Sequence, residues 1–100
     1  MGSRLDLHEE LLKFVPNVYF QPPSTIKMTY PCIVYSKSSK KRLFGNDNIY
    51  LGIQQYQLML IERNPDSNVA DTIESHFKSC IIEQYYVLDN LNHTTLSLYY

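Results

Sequence analysis

The sequence contains few side chains whose type and spacing could support catalysis. Its three histidines are His8, His76 and His93. His93 follows Asp89 by four residues, and an aspartate that orients a histidine is part of the proton-transfer machinery of many hydrolases. No nucleophile elbow or cysteine-centred signature accompanies this pair, which disfavours a small hydrolase built on His93. A hydrogen bond within a local turn is the favoured interpretation of His93.

The sequence also gives little indication of a metal site or a phosphate site. His8 and His76 have no partner at metal-ligand spacing, and Cys32 and Cys80 lie far apart without a CxxC motif. The three glycines are spread along the chain rather than gathered in a phosphate-binding loop. The acidic residues do not indicate the carboxylate pair that glycosidases use. We therefore expect no enzyme activity, no metal, no cofactor, and two free, buried thiols in a reducing compartment.

The strongest local concentration of charge is basic. Lys37, Lys40, Lys41 and Arg42, here called the basic run, are four of the nine Lys and Arg residues. Clustered cations can contact phosphate, but the flanking residues lack the interleaved aromatics of a base-stacking platform. The formal net charge of -1 excludes a basic field over the whole surface. The basic run is interpreted as an exposed connection; a loop that orders on an acidic partner or lines a DNA conduit is the alternative.

Length and composition indicate one globular domain over residues 1–100. The chain is 44% hydrophobic and 19% charged, which is typical of a folded protein with one core. Its apolar runs are far shorter than the ~20 residues of a membrane-spanning helix, and we expect no signal peptide after Met1. Nine tyrosines and no tryptophan are unusual. Tyrosine favours strands and is also enriched at interfaces, so both interpretations stay open.

Two amphipathic patterns predict helices. The first spans 4–15, with Ser3 as its N-cap and Pro16 as its stop. Its expected apolar stripe consists of Leu5, Leu11, Leu12 and Val15. The second helix spans 68–80 and has an acidic residue, Asp71, in its first turn. Four residues at helical spacing form its apolar side: Val69, Ile73, Phe77 and Cys80.

The remaining segments predict strands. They span 17–21, 30–36, 49–63, 81–88 and 94–100, with a polar corner at 89–93 between the last two. Both faces of 30–36 are apolar, which predicts a central strand. Residues 37–55 are expected to form a long hairpin or loop. The order of elements predicts an α+β fold, in which two helices pack on a mainly antiparallel sheet of four to five strands.

Several segments together resemble a known family. They are, in chain order, 17–23 (NVYFQPP), 28–35 (MTYPCIVY), 56–61 (YQLMLI), 63–67 (RNPDS), 86–93 (YVLDNLNH) and 98–100 (LYY). With the leucine-rich first helix, they resemble the small tail-terminator, or tail-completion, proteins of long-tailed phages and prophages of Gram-positive bacteria. The resemblance covers nearly the whole chain, and its motifs are structural rather than catalytic.

The resemblance implies a subunit that assembles with copies of itself into a ring, typically a hexamer, at the head-proximal end of the tail tube. Such a ring stops growth of the major tail tube protein and meets the head connector or stopper protein, while DNA passes through its lumen. It implies a virion protein of the tail or neck, assembled in the host bacterial cytoplasm, without membrane or cofactor. A head-completion or other neck protein is one alternative, and a small adaptor that binds nucleic acid or an acidic partner through the basic run is another.

A ring requires contacts in which one patch of a subunit meets a different patch on the next. The segment 37–55 can add to a neighbouring sheet edge, so we expect the intersubunit interface to include Phe44, Tyr50, Ile53 and Gln55. The basic run is expected on the lumen or connector face: Lys37, Lys40, Lys41 and Arg42. Six tyrosines are candidate interface anchors: Tyr50, Tyr56, Tyr85, Tyr86, Tyr99 and Tyr100.

Overall fold

The described part of the chain forms a five-stranded sheet with two short helices on one face. A computed structural model describes residues 3–41, 44–45, 48–49 and 53–100, with side chains for 3–38 and 54–100. The elements in chain order are α1 (Arg4–Leu11), β1 (Asn17–Phe20), β2 (Cys32–Lys41), β3 (Phe44–Gly45), β4 (Asn48–Ile49), β5 (Ile53–Glu62), α2 (Val69–His76), β6 (Cys80–Leu88) and β7 (Leu91–Tyr99).

The strand order in the sheet is β1-β2-β5-β7-β6, while β3 and β4 pair with each other. β1 runs parallel to β2, and the other neighbouring strands are antiparallel. The predicted α+β fold, a mainly antiparallel sheet of five strands carrying two helices, is confirmed. Neither helix is long and apolar enough to cross a membrane, among the residues that the structure describes.

One hydrophobic core lies between the sheet and both helices. Tyr56, Leu58 and Leu60 of β5 face it, as their alternation predicts, and each is at most 3% exposed. The neighbouring strands and the helices add a second set of core residues: Leu7, Leu11, Val15, Ile33, Tyr35, Ile73, Cys80, Leu96 and Leu98. Since β5 lies in the middle of the sheet, its apolar face is the part of the chain most completely removed from water.

Helix α1 begins where the sequence predicts but ends earlier. Ser3 caps it, because its hydroxyl accepts a hydrogen bond from the Asp6 amide while the Asp6 carboxylate accepts one from the Ser3 amide. The helix stops at Leu11 rather than at residue 15, since the next turn tightens to hydrogen bonds between residues three apart. The expected apolar stripe was partly wrong, because Leu5 and Leu12 are exposed. The buried stripe consists of Leu7, Leu11 and Val15.

Helix α2 is also shorter than its pattern predicts. Ile73 is buried, and Val69 and Phe77 pack on the core, so three of the four predicted apolar contacts lie on the expected side. The fourth, Cys80, is buried as well, but it opens β6 instead of closing the helix. The helix stops at His76 because the chain turns there to enter the sheet.

Three strands differ in length from their predictions. The strand predicted over 49–63 is β5, which spans Ile53–Glu62, and Ile49 belongs instead to β4, where it pairs with Phe44. β2 continues to Lys41, whereas the polar and basic residues after Ser36 predicted a connection. Pairing with β5 accounts for the difference, because Lys37 lies opposite Tyr56 and, after a bulge, Lys41 lies opposite Ile53. β7 starts at Leu91, so the predicted corner at 89–93 is reduced to a two-residue turn whose residues both have positive φ.

Both cysteines are free and buried, as expected. Burial raises the pKa of each thiol, Cys32 and Cys80, to about 11. For Cys80 the negative charge of the Glu74 carboxylate also raises the pKa in the same direction. The ordinary value is 9.0, so the unfolded thiols lose their protons first as the pH rises. The free energy of unfolding therefore falls as the pH rises from about 9 to about 11.

The native thiols should react slowly with a disulfide reagent at pH 8. A thiol of pKa about 11 is only about 0.1% ionised at this pH, so labelling of Cys32 and Cys80 should be at least ~100-fold slower than that of a free cysteine. Absorbance of the released thiolate measures the rate. The same reaction in urea should give two thiols per chain at the ordinary rate, and equally fast labelling of the native protein would contradict burial of the thiols.

Candidate functional site

The most unusual surface of the molecule is the edge strand β6. It pairs with β7, and within the described residues no strand pairs with its other side. Five of the eight large apolar side chains exposed in this part of the structure belong to it: Ile81, Tyr85, Tyr86, Val87 and Leu88. These five residues are called the β6 surface. They matter because a strand with a free edge and apolar side chains is a template for pairing with another chain.

The β6 surface is apolar on both faces of the sheet. Tyr85 lies opposite Thr94, on the face that carries the helices, and Val87 follows it on that face. Tyr86 lies opposite His93, on the other face. A bulge between Ile82 and Gln84 shifts the register of this strand. Exposed apolar surface of this kind is typical of a site that contacts another molecule.

The free edge of β6 is only partly protected against pairing. Natural edge strands carry lysines, prolines, inward charges or bulges that hinder pairing. β6 has a bulge between Ile82 and Gln84, and the Ile82 amide donates a hydrogen bond of 2.9 Å to the Glu74 carboxylate, but the strand contains no lysine or proline. In β6 the one charged residue is Glu83, and its carboxylate accepts a hydrogen bond of 2.9 Å from the Gln57 side chain. Val87 is 59% exposed and Ile81 is 64% exposed, so hydrophobic area at both ends of the strand faces water. This combination makes the β6 surface the best-supported interaction site.

Two exposed tyrosines on β6 are held in position. The Tyr86 ring stacks on His93 with centroids 4.9 Å apart and an angle of 5° between the planes. The Tyr85 hydroxyl donates a hydrogen bond to the Asn92 side-chain oxygen. Aromatic side chains that are already ordered lose little conformational entropy on binding, which favours their use as anchors.

The histidines have structural partners. His93 lies in β7 rather than in a corner, and its Nδ1 is 3.0 Å from the Leu91 carbonyl oxygen, consistent with the expected local hydrogen bond. His8 Nδ1 is 2.8 Å from the Tyr35 hydroxyl. His76 Nε2 lies 3.1 Å from a Glu10 carboxylate oxygen, and hydrogen bonds from His76 and then Lys13 lower the pKa of Glu10. Among the described residues, no group of three or more His, Cys, Asp or Glu could hold a metal.

The predicted interface residues fall into three groups. Phe44 lies in β3 opposite Ile49, and Ile53 opens β5. Gln55 is half-buried on β5, and its side-chain amide donates a hydrogen bond to the Ser97 hydroxyl. Tyr50 lies outside the described residues. Their role in an interface stays a prediction.

The predicted lumen residues lie along a strand. Lys37 is exposed on β2, and the backbone of Lys40 is opposite Gln54. Lys41 ends the strand, and Arg42 lies outside the described residues. A long hairpin or loop was expected over 37–55, and in the described residues the antiparallel pairing of β2 with β5 extends through Lys41, so the lysines of the basic run lie on a strand.

The candidate tyrosine anchors separate into buried and exposed members. Tyr56 is 3% exposed and belongs to the core, so it cannot contact another subunit. Tyr99 and Tyr100 are half-buried. Tyr85 and Tyr86 are exposed, at 55% and 37%. The sequence-based set of candidate anchors contained both exposed tyrosines of β6. The sequence alone could not distinguish them from a core tyrosine such as Tyr56.

A cleft of about 260 Å³, with polar and apolar lining residues, adjoins the β6 surface. It lies on the helix-bearing face, between the connection from β5 to α2 and the adjacent ends of β6 and β7. The lining residues are Glu62, Asn64, Pro65, Ser67, Ala70, Asp71, Ile82, Tyr85, Asn92 and Thr94. Its two charged residues are both acidic, and Tyr85 belongs to the cleft and to the β6 surface alike. Sequence analysis missed this cleft because its residues come from three separate segments, 62–71, 82–85 and 92–94.

Comparison with known proteins adds no assignment. Neither the family models nor the curated proteins contain a match to this chain. The geometry of β6 and the adjoining cleft therefore carries the functional argument.

Proposed function

We propose that this chain is a structural subunit that assembles with copies of itself into a ring at the head-proximal end of a phage tail tube. The ring stops tube growth and joins the tail to the head connector, and DNA passes through it. The single observation that supports self-assembly is the β6 surface. The phage assignment rests on the sequence resemblance to tail-terminator proteins, which also suggests six subunits and a location in the virion.

The β6 surface supports assembly for a physical reason. Burial of apolar surface stabilises a contact by about 25 cal/mol per Å², and backbone pairing along a free edge fixes its orientation. Together these effects favour a protein partner over a small molecule or a nucleic acid. A closed ring requires β6 to meet a different surface on the next subunit, whereas pairing of β6 with a second β6 would give a twofold dimer.

Electron microscopy tests the proposal. The purified protein should form discrete rings, alone or on tail tubes. A phage that lacks the gene should produce tubes of uncontrolled length that do not join heads, because nothing ends the stacking of tube subunits. Complementation with the wild-type gene is the control. Tails of normal length joined to heads in the deletion phage would contradict the proposal.

The adaptor alternative predicts a different result. An adaptor that binds nucleic acid through the basic run should bind DNA with an affinity that falls steeply as salt concentration rises. The ring proposal predicts weak DNA binding, since DNA must slide through the lumen. A filter-binding titration at two salt concentrations distinguishes these outcomes.

A further inference from the structure

The cleft beside the β6 surface has an acidic character that no side chain in the described part of the molecule neutralises. Glu62 and Asp71 line it, and no lysine or arginine does. The remaining polar lining groups are amides and hydroxyls, which can accept hydrogen bonds from a cation. These groups suit an ammonium or guanidinium group better than an anion.

Glu62 is the distinctive member of the cleft. The residue is only 8% exposed, yet no hydrogen bond or ion pair reaches its carboxylate in the described part of the chain. Its backbone carbonyl accepts a hydrogen bond of 3.3 Å from the Asn92 side chain, and both residues line the cleft. Among the described residues no fully buried side-chain oxygen lacks a hydrogen bond, so the Glu62 carboxylate oxygens remain open to the cleft, where a cation from outside the chain can reach them.

Several cations of the chain already have partners. Lys13 is 3.3 Å from Glu10, and the Arg4 guanidinium lies 4.3 Å from the centre of the Phe20 ring. The Arg63 guanidinium lies over the Tyr30 ring at 5.6 Å. Lys27 and Lys78 are isolated in the sequence, whereas the basic run concentrates four cations. The basic run is therefore the best source of a cation for the cleft.

The lysines of β2 lie too far from the cleft of their own chain to fill it. Lys37 lies opposite Tyr56, and Glu62 is six residues further along β5. At 3.3–3.4 Å per residue this separation is about 20 Å, far beyond the length of a lysine side chain. The basic and acidic groups thus lie towards opposite ends of the sheet, so a second copy can supply what the first cannot.

The geometry points to the cleft as the socket in which a lysine of β2 of a second copy (Lys37, Lys40 or Lys41) binds Glu62. This contact rests on the proposed self-assembly. It defines the two different surfaces that a ring requires, which are the cleft with the β6 surface on one subunit and the basic end of β2 on the next. Apolar contact along β6 supplies area, and the ion pair sets the register between subunits.

Replacing Glu62 with glutamine tests the socket. Glu62→Gln keeps the shape of the side chain and removes its charge, so the association constant should fall about tenfold or more. Asp66→Asn is the matched control, because Asp66 is exposed and does not line the cleft. Sedimentation equilibrium measures association, and urea unfolding shows that each variant folds. If Glu62→Gln does not fold, Asp71→Asn, at an exposed position of the same cleft, replaces it.

Combined substitutions identify the cation. The variant Lys37→Gln, Lys40→Gln and Lys41→Gln should weaken association as much as Glu62→Gln, and all four changes together should cost little more than either set alone. Fully additive losses, or unchanged association of the lysine variant, would overturn the assignment of the basic run. Unchanged association of both cleft variants would overturn the socket while leaving self-assembly intact. A wild-type chain that does not associate would instead contradict the proposed function itself.

Discussion

Replacing Val87 with lysine should strongly weaken self-association of the chain while leaving its fold intact. Val87 is 59% exposed near the end of the free edge strand, so the folded monomer has little packing to lose there. In an assembled contact, the same position would bury an unpaired charge. We expect the association constant to fall roughly 30-fold or more, the effect of losing about 2 kcal/mol at an interface hot spot.

Light scattering coupled to size-exclusion chromatography measures this change. The free energy of unfolding should stay within ~0.5 kcal/mol of the wild-type value, as is usual for surface substitutions. Leu5→Lys is the matched control, because Leu5 is 65% exposed but lies on α1, away from β6. Equal loss of association in both variants would indicate non-specific hydrophobic aggregation rather than a contact at β6.

Replacing Leu58 with alanine should produce the largest loss of stability among these substitutions. Leu58 is fully buried in the middle of β5, where it lies opposite Tyr35 of β2 and Leu96 of β7. Truncation removes buried apolar area and leaves a cavity between three strands and the helices. The expected cost is ~2–5 kcal/mol, which is a large fraction of the stability of a small domain.

Urea unfolding followed by far-UV circular dichroism tests this prediction. Leu5→Ala removes the same atoms from an exposed position and should change the free energy of unfolding by less than ~0.5 kcal/mol. A similar midpoint for Leu58→Ala and the wild type would contradict the placement of Leu58 in the core.

Local patterns predicted the elements well where periodicity and burial agree. The alternation of Tyr56, Leu58 and Leu60 identified the buried face of β5, and the spacing of Val69, Ile73 and Phe77 identified that of α2. The capping role of Ser3 also follows from sequence, because a side-chain hydroxyl before a helix satisfies a free backbone amide. In each of these cases the pattern that determines the structure involves residues only a few positions apart in the sequence.

The features that local patterns did not predict depend on pairing between strands that are distant in the sequence. Lys37 belongs to β2 because β5 lies beside it, although its own sequence favours a loop. The edge position of β6 depends on β7 inserting between β5 and β6, and no local signal predicts that order. The same applies to the cleft, where Glu62 and Tyr85 meet only after the sheet has formed. An apolar stretch such as Tyr85–Leu88 therefore looks like a core strand until its neighbours are known.

Sedimentation velocity of the wild-type chain over a range of concentrations tests most directly whether the protein is a self-assembling subunit. The account predicts discrete species several times heavier than the 11.8 kDa chain, whose proportion increases with protein concentration. A single species of 11.8 kDa at the highest concentration would contradict it.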